Sequence, residues 1–127
     1  RLPTRSDFAL QLIAMIQEDL HVDLRDKACI DIGCRSCENV LAMRLAGAEV
    51  IGIDPDDSEF QGAIQRGMEK ECLYKMTLQE FRAQFPDKKF DLATVFLWNI
   101  PLEEQKSFAI ALQNIIHAEG TVIIGYA

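Results

Sequence analysis

The 127-residue chain has no apolar run long enough to cross a bilayer, which takes about 20 residues in succession, and no signal-peptide pattern at its start. No membrane segment is therefore expected. It also has no excess of positive charge: 13 Lys and Arg stand against 20 Asp and Glu, a net charge of -7. Nucleic-acid affinity comes largely from clustered Lys and Arg, so no nucleic-acid partner is expected. The short basic groups at Arg66 to Lys70 and at Lys88-Lys89 are flanked by acids and read as solvated faces. Histidine is scarce, and His21 and His117 lack metal-ligand spacing. The four cysteines, at 29, 34, 37 and 72, do not have the look of a disulfide framework, which points to a reducing compartment, the cytoplasm. Repeats, low-complexity stretches and linkers are absent. What remains is an ordinary globular composition, 49% hydrophobic and 26% charged. The length suits one domain, residues 1–127, that buries about two thirds of its unfolded surface. The chain begins at Arg1 rather than Met, as a piece of a longer protein would.

Helical and strand patterns alternate along it. Ser6 to Leu20 carries apolar residues at 8, 12, 13, 16 and 20, one helical face, with Ser6 or Asp7 as cap. Ala28 to Ile32 is a short apolar run of the kind found in a parallel strand covered on both faces. Glu38 to Leu45 has helix character, with Val40, Leu41 and Leu45 inward, and Gly47 stands at its C-terminal end. Glu49 to Ile53 is the second strand, stopped by Asp54-Pro55; Ser58 to Met68 is a weaker helix containing Gly62 and Gly67. Cys72 to Met76 predicts a third strand and Thr77 to Phe85 a helix capped by Thr77. Phe90 to Leu97 is the fourth strand; Pro101 opens a helix over Leu102 to His117, Gly120 turns the chain, and Thr121 to Tyr126 is the fifth strand. Five strands alternating with helices predict an α/β three-layer sandwich with a parallel sheet. Right-handed crossovers favour the order 3-2-1-4-5, with a ligand crevice at the switch point between strands 1 and 4.

The richest stretch lies where the first strand ends: Asp31-Ile32-Gly33-Cys34-Arg35-Ser36-Cys37, with a second acid, Asp54, 23 residues after Asp31 at the end of strand 2. This resembles a class I S-adenosylmethionine-dependent methyltransferase over nearly the whole chain. In that family strand 1 ends in Asp/Glu-x-Gly-x-Gly-x-Gly; Asp31, Gly33 and Cys34 fit the pattern, while Arg35 and Cys37 stand at the second and third glycine positions. Glycine there takes positive φ and lets a ligand approach the backbone. Arg35 has four destinations: solvent, Asp31, the ligand's carboxylate, or the pocket itself. By the resemblance, Asp54 accepts hydrogen bonds from both ribose hydroxyls, whose vicinal donors suit the two oxygens of one carboxylate. Asp54-Pro55 is also an ordinary turn start. Pro55 lies along the adenine face. Thr77 and Leu78 stand nearest the family's adenine-contacting acid, Thr77 serving better as a helix cap and Leu78 offering its N–H and apolar contact. The resemblance implies that Phe96 and Leu97 line the methionine arm and that Trp98 and Asn99 face the acceptor, though Trp98 also reads as a packing or interface residue.

The resemblance implies S-adenosylmethionine as cofactor and methyl transfer to a small molecule or a protein. Such a displacement rests on positioning and desolvation, and no general base stands out. The alternative is a non-catalytic methyltransferase-like module for binding or assembly, suggested by Arg35 and Cys37. Family sheets usually continue past strand 5 into two more strands, so an oligomer or a further C-terminal segment is expected to cover strand 5. A dinucleotide-binding oxidoreductase needs G-x-G-x-x-G, which Gly33-Cys-Arg-Ser-Cys-Glu38 does not supply. Cys34-Arg-Ser-Cys37 fits half a zinc site, a redox pair, or two small side chains in a tight loop, and the last is the plainest reading.

Overall fold

The computed structural model describes residues 4–96 and 100–125. Its elements run α1 (Arg5–Ala14), continued by a π-helical segment (Met15–Asp19), then β1 (Ala28–Ile32), α2 (Glu38–Leu45), β2 (Glu49–Ile53), α3 (Phe60–Gln65), a 3-10 turn (Lys70–Cys72), β3 (Leu73–Tyr74), α4 (Leu78–Gln84), β4 (Phe90–Phe96), α5 (Leu102–Ile115) and β5 (Ile116–Gly125). The strands form one five-stranded sheet in the order β3-β2-β1-β4-β5. Each paired neighbour is parallel. The sequence-based topology and α/β class hold.

Alternation along the strands divides the core into two faces. Cys29 and Leu92 pack with Ile16, Val40 and Met43 under α1 and α2. Ile30, Ile32, Ala93 and Val95 pack with Leu78, Phe81 and Ile115 under α4 and α5. On the second face Tyr74 meets Phe81 and Phe85 edge-on at 5.8 and 5.7 Å, and Phe81 lies 6.0 Å from Phe90. Truncating a buried ring such as Phe81 to Ala costs about 3–5 kcal/mol.

The structure corrects several local expectations. Thr4, rather than Ser6 or Asp7, caps α1: Asp7 N–H donates to Thr4 Oγ1 at 3.1 Å while Thr4 N–H donates to Asp7 Oδ2 at 2.8 Å. The buried face of this first helix centres on Ala9 and Ile16, leaving Phe8 and Leu20 exposed. The wider π turns shift Leu20 off the stripe. On α2, Met43 is buried and Leu45 is 88% exposed. Five residues at about 100° each carry Leu45 roughly 140° round from Val40. α3 covers Phe60–Gln65 rather than Ser58 to Met68. β3 is two residues long, although Asp54 N–H donates to the Tyr74 carbonyl and Met76 N–H to the Asp54 carbonyl beyond it. α5 ends at Ile115, not His117. Ile116 pairs with Phe90, and the ladder resumes at Thr121 opposite Leu92 with the chain bulging between.

Candidate functional site

The carboxyl ends of β1 and β2 lie side by side, with Asp31 opposite Gly52 and Ile32 opposite Ile53. β4 flanks β1 on the other side, with Thr94 opposite Asp31. This register brings Asp31, the 33–37 loop and Asp54 to one sheet edge, at the switch point expected from the sequence.

The loop takes left-handed backbone at alternate positions: φ is +76° at Gly33, +48° at Arg35 and +66° at Cys37. All three positions of the resembled glycine pattern thus have the conformation glycine favours, although only the first is glycine. Gly33 and Cys34 N–H both donate to the Ile53 carbonyl, at 2.9 and 3.1 Å, and Cys37 N–H donates to the Cys34 carbonyl at 2.8 Å. Arg35 N–H donates to Asp54 Oδ2 at 2.9 Å. A Cβ added to Gly33 would meet no atom within 4 Å, so the first turn faces open space. The Arg35 side chain is exposed. Its guanidinium is among the influences holding Asp56 below its ordinary value, after the dominant hydrogen bonds from Ser58. Of the four destinations considered for Arg35, filling the pocket does not fit that exposure.

Asp54 is buried at the end of β2. Its Oδ1 accepts Asp56 N–H at 2.9 Å and its Oδ2 the loop N–H of Arg35. Pro55, beside it, is exposed. Asp31 is 1% exposed. Its Oδ1 accepts the Thr94 hydroxyl at 2.6 Å. Burial pushes its carboxyl up to about 7, against the opposing pull of hydrogen bonds from Thr94 and Asn39. Thr94 and Asn39 were not foreseen. A single hydroxyl within Phe90–Phe96, otherwise apolar after Asp91, was the available signal.

Cys34 and Cys37 are both buried, with their sulfurs 3.5 Å apart. The hydrogen bond from Cys37, and burial after it, raises the Cys34 thiol far above its ordinary value. The close packing explains Gly52: a Cβ there would fall 2.8 Å from Cys34 Sγ. Among the described residues no cluster of three or more His, Cys, Asp or Glu could hold a metal.

Thr77 caps α4, its Oγ1 accepting Glu80 N–H at 3.1 Å, and Glu80 answers through Thr77 N–H at 3.0 Å. The Leu78 side chain is 2% exposed and packs in the core. Phe96 ends β4. Its side chain, and Leu97, Trp98 and Asn99, lie outside the described residues. A cleft of about 760 Å³ opens at the opposite sheet edge, where His21, Lys27, Asp91, His117 and Gly120 meet. That cleft lies away from the Asp31–Asp54 edge.

Comparison with known proteins agrees with this geometry. A family model described as a methyltransferase domain matches residues 30–124. Among solved structures, the ribosomal protein L11 methylase of Lactobacillus delbrueckii subsp. bulgaricus superposes with a TM-score of 0.69 at 21% identity, covering 98% of this chain and 62% of that one. Magnesium protoporphyrin IX methyltransferase of Synechocystis PCC 6803, solved with bound S-adenosylmethionine, gives a TM-score of 0.70 at 19% identity, covering 87% of this chain and 54% of that one. The chain therefore spans little more than half the length of these structures. A search of curated proteins gave no match. With three quarters of its length matched by the family model and a sheet of the required order, the chain belongs to the methyltransferase domain family, with the class I S-adenosylmethionine-dependent fold and S-adenosylmethionine as the cofactor the family indicates.

Proposed function

We propose that residues 1–127 form one domain that binds S-adenosylmethionine at the Asp31–Asp54 edge and serves methyl transfer to a small molecule or a protein. The observation that carries this reading is the left-handed backbone at residues 33, 35 and 37, kept without the usual glycines. Non-glycine residues hold that conformation at a cost of roughly 1–2 kcal/mol each, which the loop's hydrogen bonds to Ile53 and Asp54 offset, so the chain keeps the backbone course of a glycine-rich cofactor loop.

The residues present fit the group. Each Asp54 oxygen takes one backbone N–H and keeps a second lone pair, enough for the two hydroxyls of a ribose. The exposed Pro55 ring offers an apolar face beside it. The open space at Gly33 gives backbone access. Asp31 and Asp54 bring two buried carboxyl groups to the edge that a cationic ligand would occupy. Arg35, exposed at the loop, can fork onto a ligand carboxylate. When bound, S-adenosylmethionine supplies an electrophilic methyl group on its sulfonium. The chain's part is to hold, orient and dehydrate it, and no side chain of the cluster is needed as a base. Trp98 and Asn99 remain the proposed acceptor-side residues, with Phe96 and Leu97 beside the methionine arm. Free cysteines throughout fit a cytoplasmic setting. The edge position of β5 fits cover by another copy or a further chain segment.

A second reading has its own observation. Both Asp54 oxygens already serve the protein's backbone, as they would in a module that kept the loop for structure and lost the cofactor. Thermal unfolding separates the two. Ligand at about 100 times its dissociation constant adds about 2.7 kcal/mol, a rise of several degrees for a domain this size. An unchanged midpoint at millimolar S-adenosylmethionine favours the module.

A further inference from the structure

Two arginines outside the expected site cross between its walls. Ser36 lies between the left-handed residues Arg35 and Cys37, and is itself buried. Its carbonyl accepts Arg66 Nη2 at 2.6 Å, from the residue that follows α3. In the opposite direction, Arg44 on the last turn of α2 donates through Nη1 to the Gly67 carbonyl at 2.8 Å and pairs with Glu69 through Nη2. α2 starts immediately after the loop, and α3 hangs from the segment that begins at Asp54. One guanidinium therefore runs from the Asp54 side to the loop, and the other from the loop side to the turn after α3.

We propose that Arg66, opposed by Arg44, is a positioning residue that holds the 33–37 loop at a fixed distance from the Asp54 segment, and so keeps the two walls of the adenosyl site ready for binding. The inference rests on the S-adenosylmethionine reading above. Neither arginine is asked to touch the ligand. A buried carbonyl needs a donor, and a charged donor is a strong one. Here a charged donor reaches it from another element. The link converts a local hydrogen bond into a constraint on spacing. Preorganisation of this kind improves affinity by removing the cost of ordering the site on binding.

The test uses the whole chain with Arg66→Ala, Arg66→Lys and Arg44→Ala, reading S-adenosylmethionine affinity by calorimetry and backbone amide exchange in ligand-free protein. Arg66→Ala is expected to raise the dissociation constant about tenfold. Arg66→Lys, which still offers a donor to one carbonyl, is expected to recover most of that loss. The Arg35 and Cys37 amides should exchange about tenfold faster in Arg66→Ala and Arg44→Ala, with Ile30 and Ile51 unchanged. Unchanged affinity and exchange in Arg66→Ala overturn the proposal, as does Arg66→Lys binding as poorly as Arg66→Ala. If the unmodified protein itself binds no S-adenosylmethionine, the functional reading fails and the exchange rates alone judge the clamp: faster loop exchange upholds it and unchanged exchange overturns it.

Discussion

The backbone N–H of Arg35 donates to Asp54 Oδ2 at 2.9 Å, so the acid that follows β2 holds the turn that follows β1. One carboxylate thereby joins the two loops between which a nucleoside would lie. Removing it leaves two backbone donors unmet, those of Arg35 and Asp56. Asp54→Ala is expected to lower stability by about 1–3 kcal/mol and to abolish measurable S-adenosylmethionine binding. Asp54→Asn keeps one oxygen acceptor, so it should fold more stably than the alanine variant while binding more weakly than the unmodified protein. Thermal melts and calorimetry read the two effects separately. Unmodified affinity in Asp54→Ala would contradict the ribose assignment.

Asp31 sets a pH dependence. Its carboxyl sits at about 7 in the folded protein, pushed up chiefly by burial, against an ordinary value of 3.8. Between these values the folded state binds more protons than the unfolded one, so this contribution to stability is complete below pH 4 and falls as pH rises through 7. Asp31→Asn removes the titration. Relative to the unmodified protein, it should gain stability steadily between pH 4 and 7, reaching a few kcal/mol, with little gain at the acid end. Denaturant unfolding across that range measures it, and a constant difference between the two proteins would contradict the assignment.

Arg35 carries backbone strain without occupying a buried position. Arg35→Gly relieves the left-handed conformation but adds freedom to the unfolded chain, about 1–2 kcal/mol against 0.4–1. The net expectation is stability unchanged or raised by up to about 1.5 kcal/mol, with the loop intact. Arg35→Val, β-branched at the same φ, should be clearly destabilised. Equal melting temperatures for the two variants would show that the strain is not there.

The thiols should divide by accessibility. Cys29, Cys34 and Cys37 are buried, and Cys72 is partly exposed. Burial pushes the Cys29 thiol up to about 12, and the Cys37 hydrogen bond and burial raise Cys34 as well. A thiol reagent at neutral pH should therefore modify one cysteine, Cys72, in the native protein, and the other three only on unfolding. Rapid native labelling at Cys34 or Cys37 would restore the reading of that pair as a reactive dithiol.

Much of this was legible in the residues, for identifiable reasons. Ala28–Ile32 and Glu49–Ile53 are short, mostly apolar runs, the first containing Asp31 and the second followed by Asp54, and the parallel order follows from alternation and crossover hand. Faces of short helices were less legible. Leu45 looks like a core residue by type, yet eight residues give too few turns to fix the phase of the stripe. The loop was half legible. Its position followed from the motif, but Arg35 and Cys37 gave no hint that the backbone would stay left-handed, because tertiary bonds from Asp54 and Ile53 hold it there. The Thr94–Asp31 pair depends on strand register, and the Arg66–Ser36 link on the placing of α3, neither of which a linear pattern encodes.

The most direct measurement is an amide NMR titration of the isotope-labelled chain with S-adenosylmethionine. The account predicts saturable shifts concentrated at residues 33–37 and 54–56, leaving the cleft around His21, His117 and Gly120 at the far edge of the sheet unmoved. A spectrum unchanged at millimolar ligand, or shifts confined to that far edge, would contradict it.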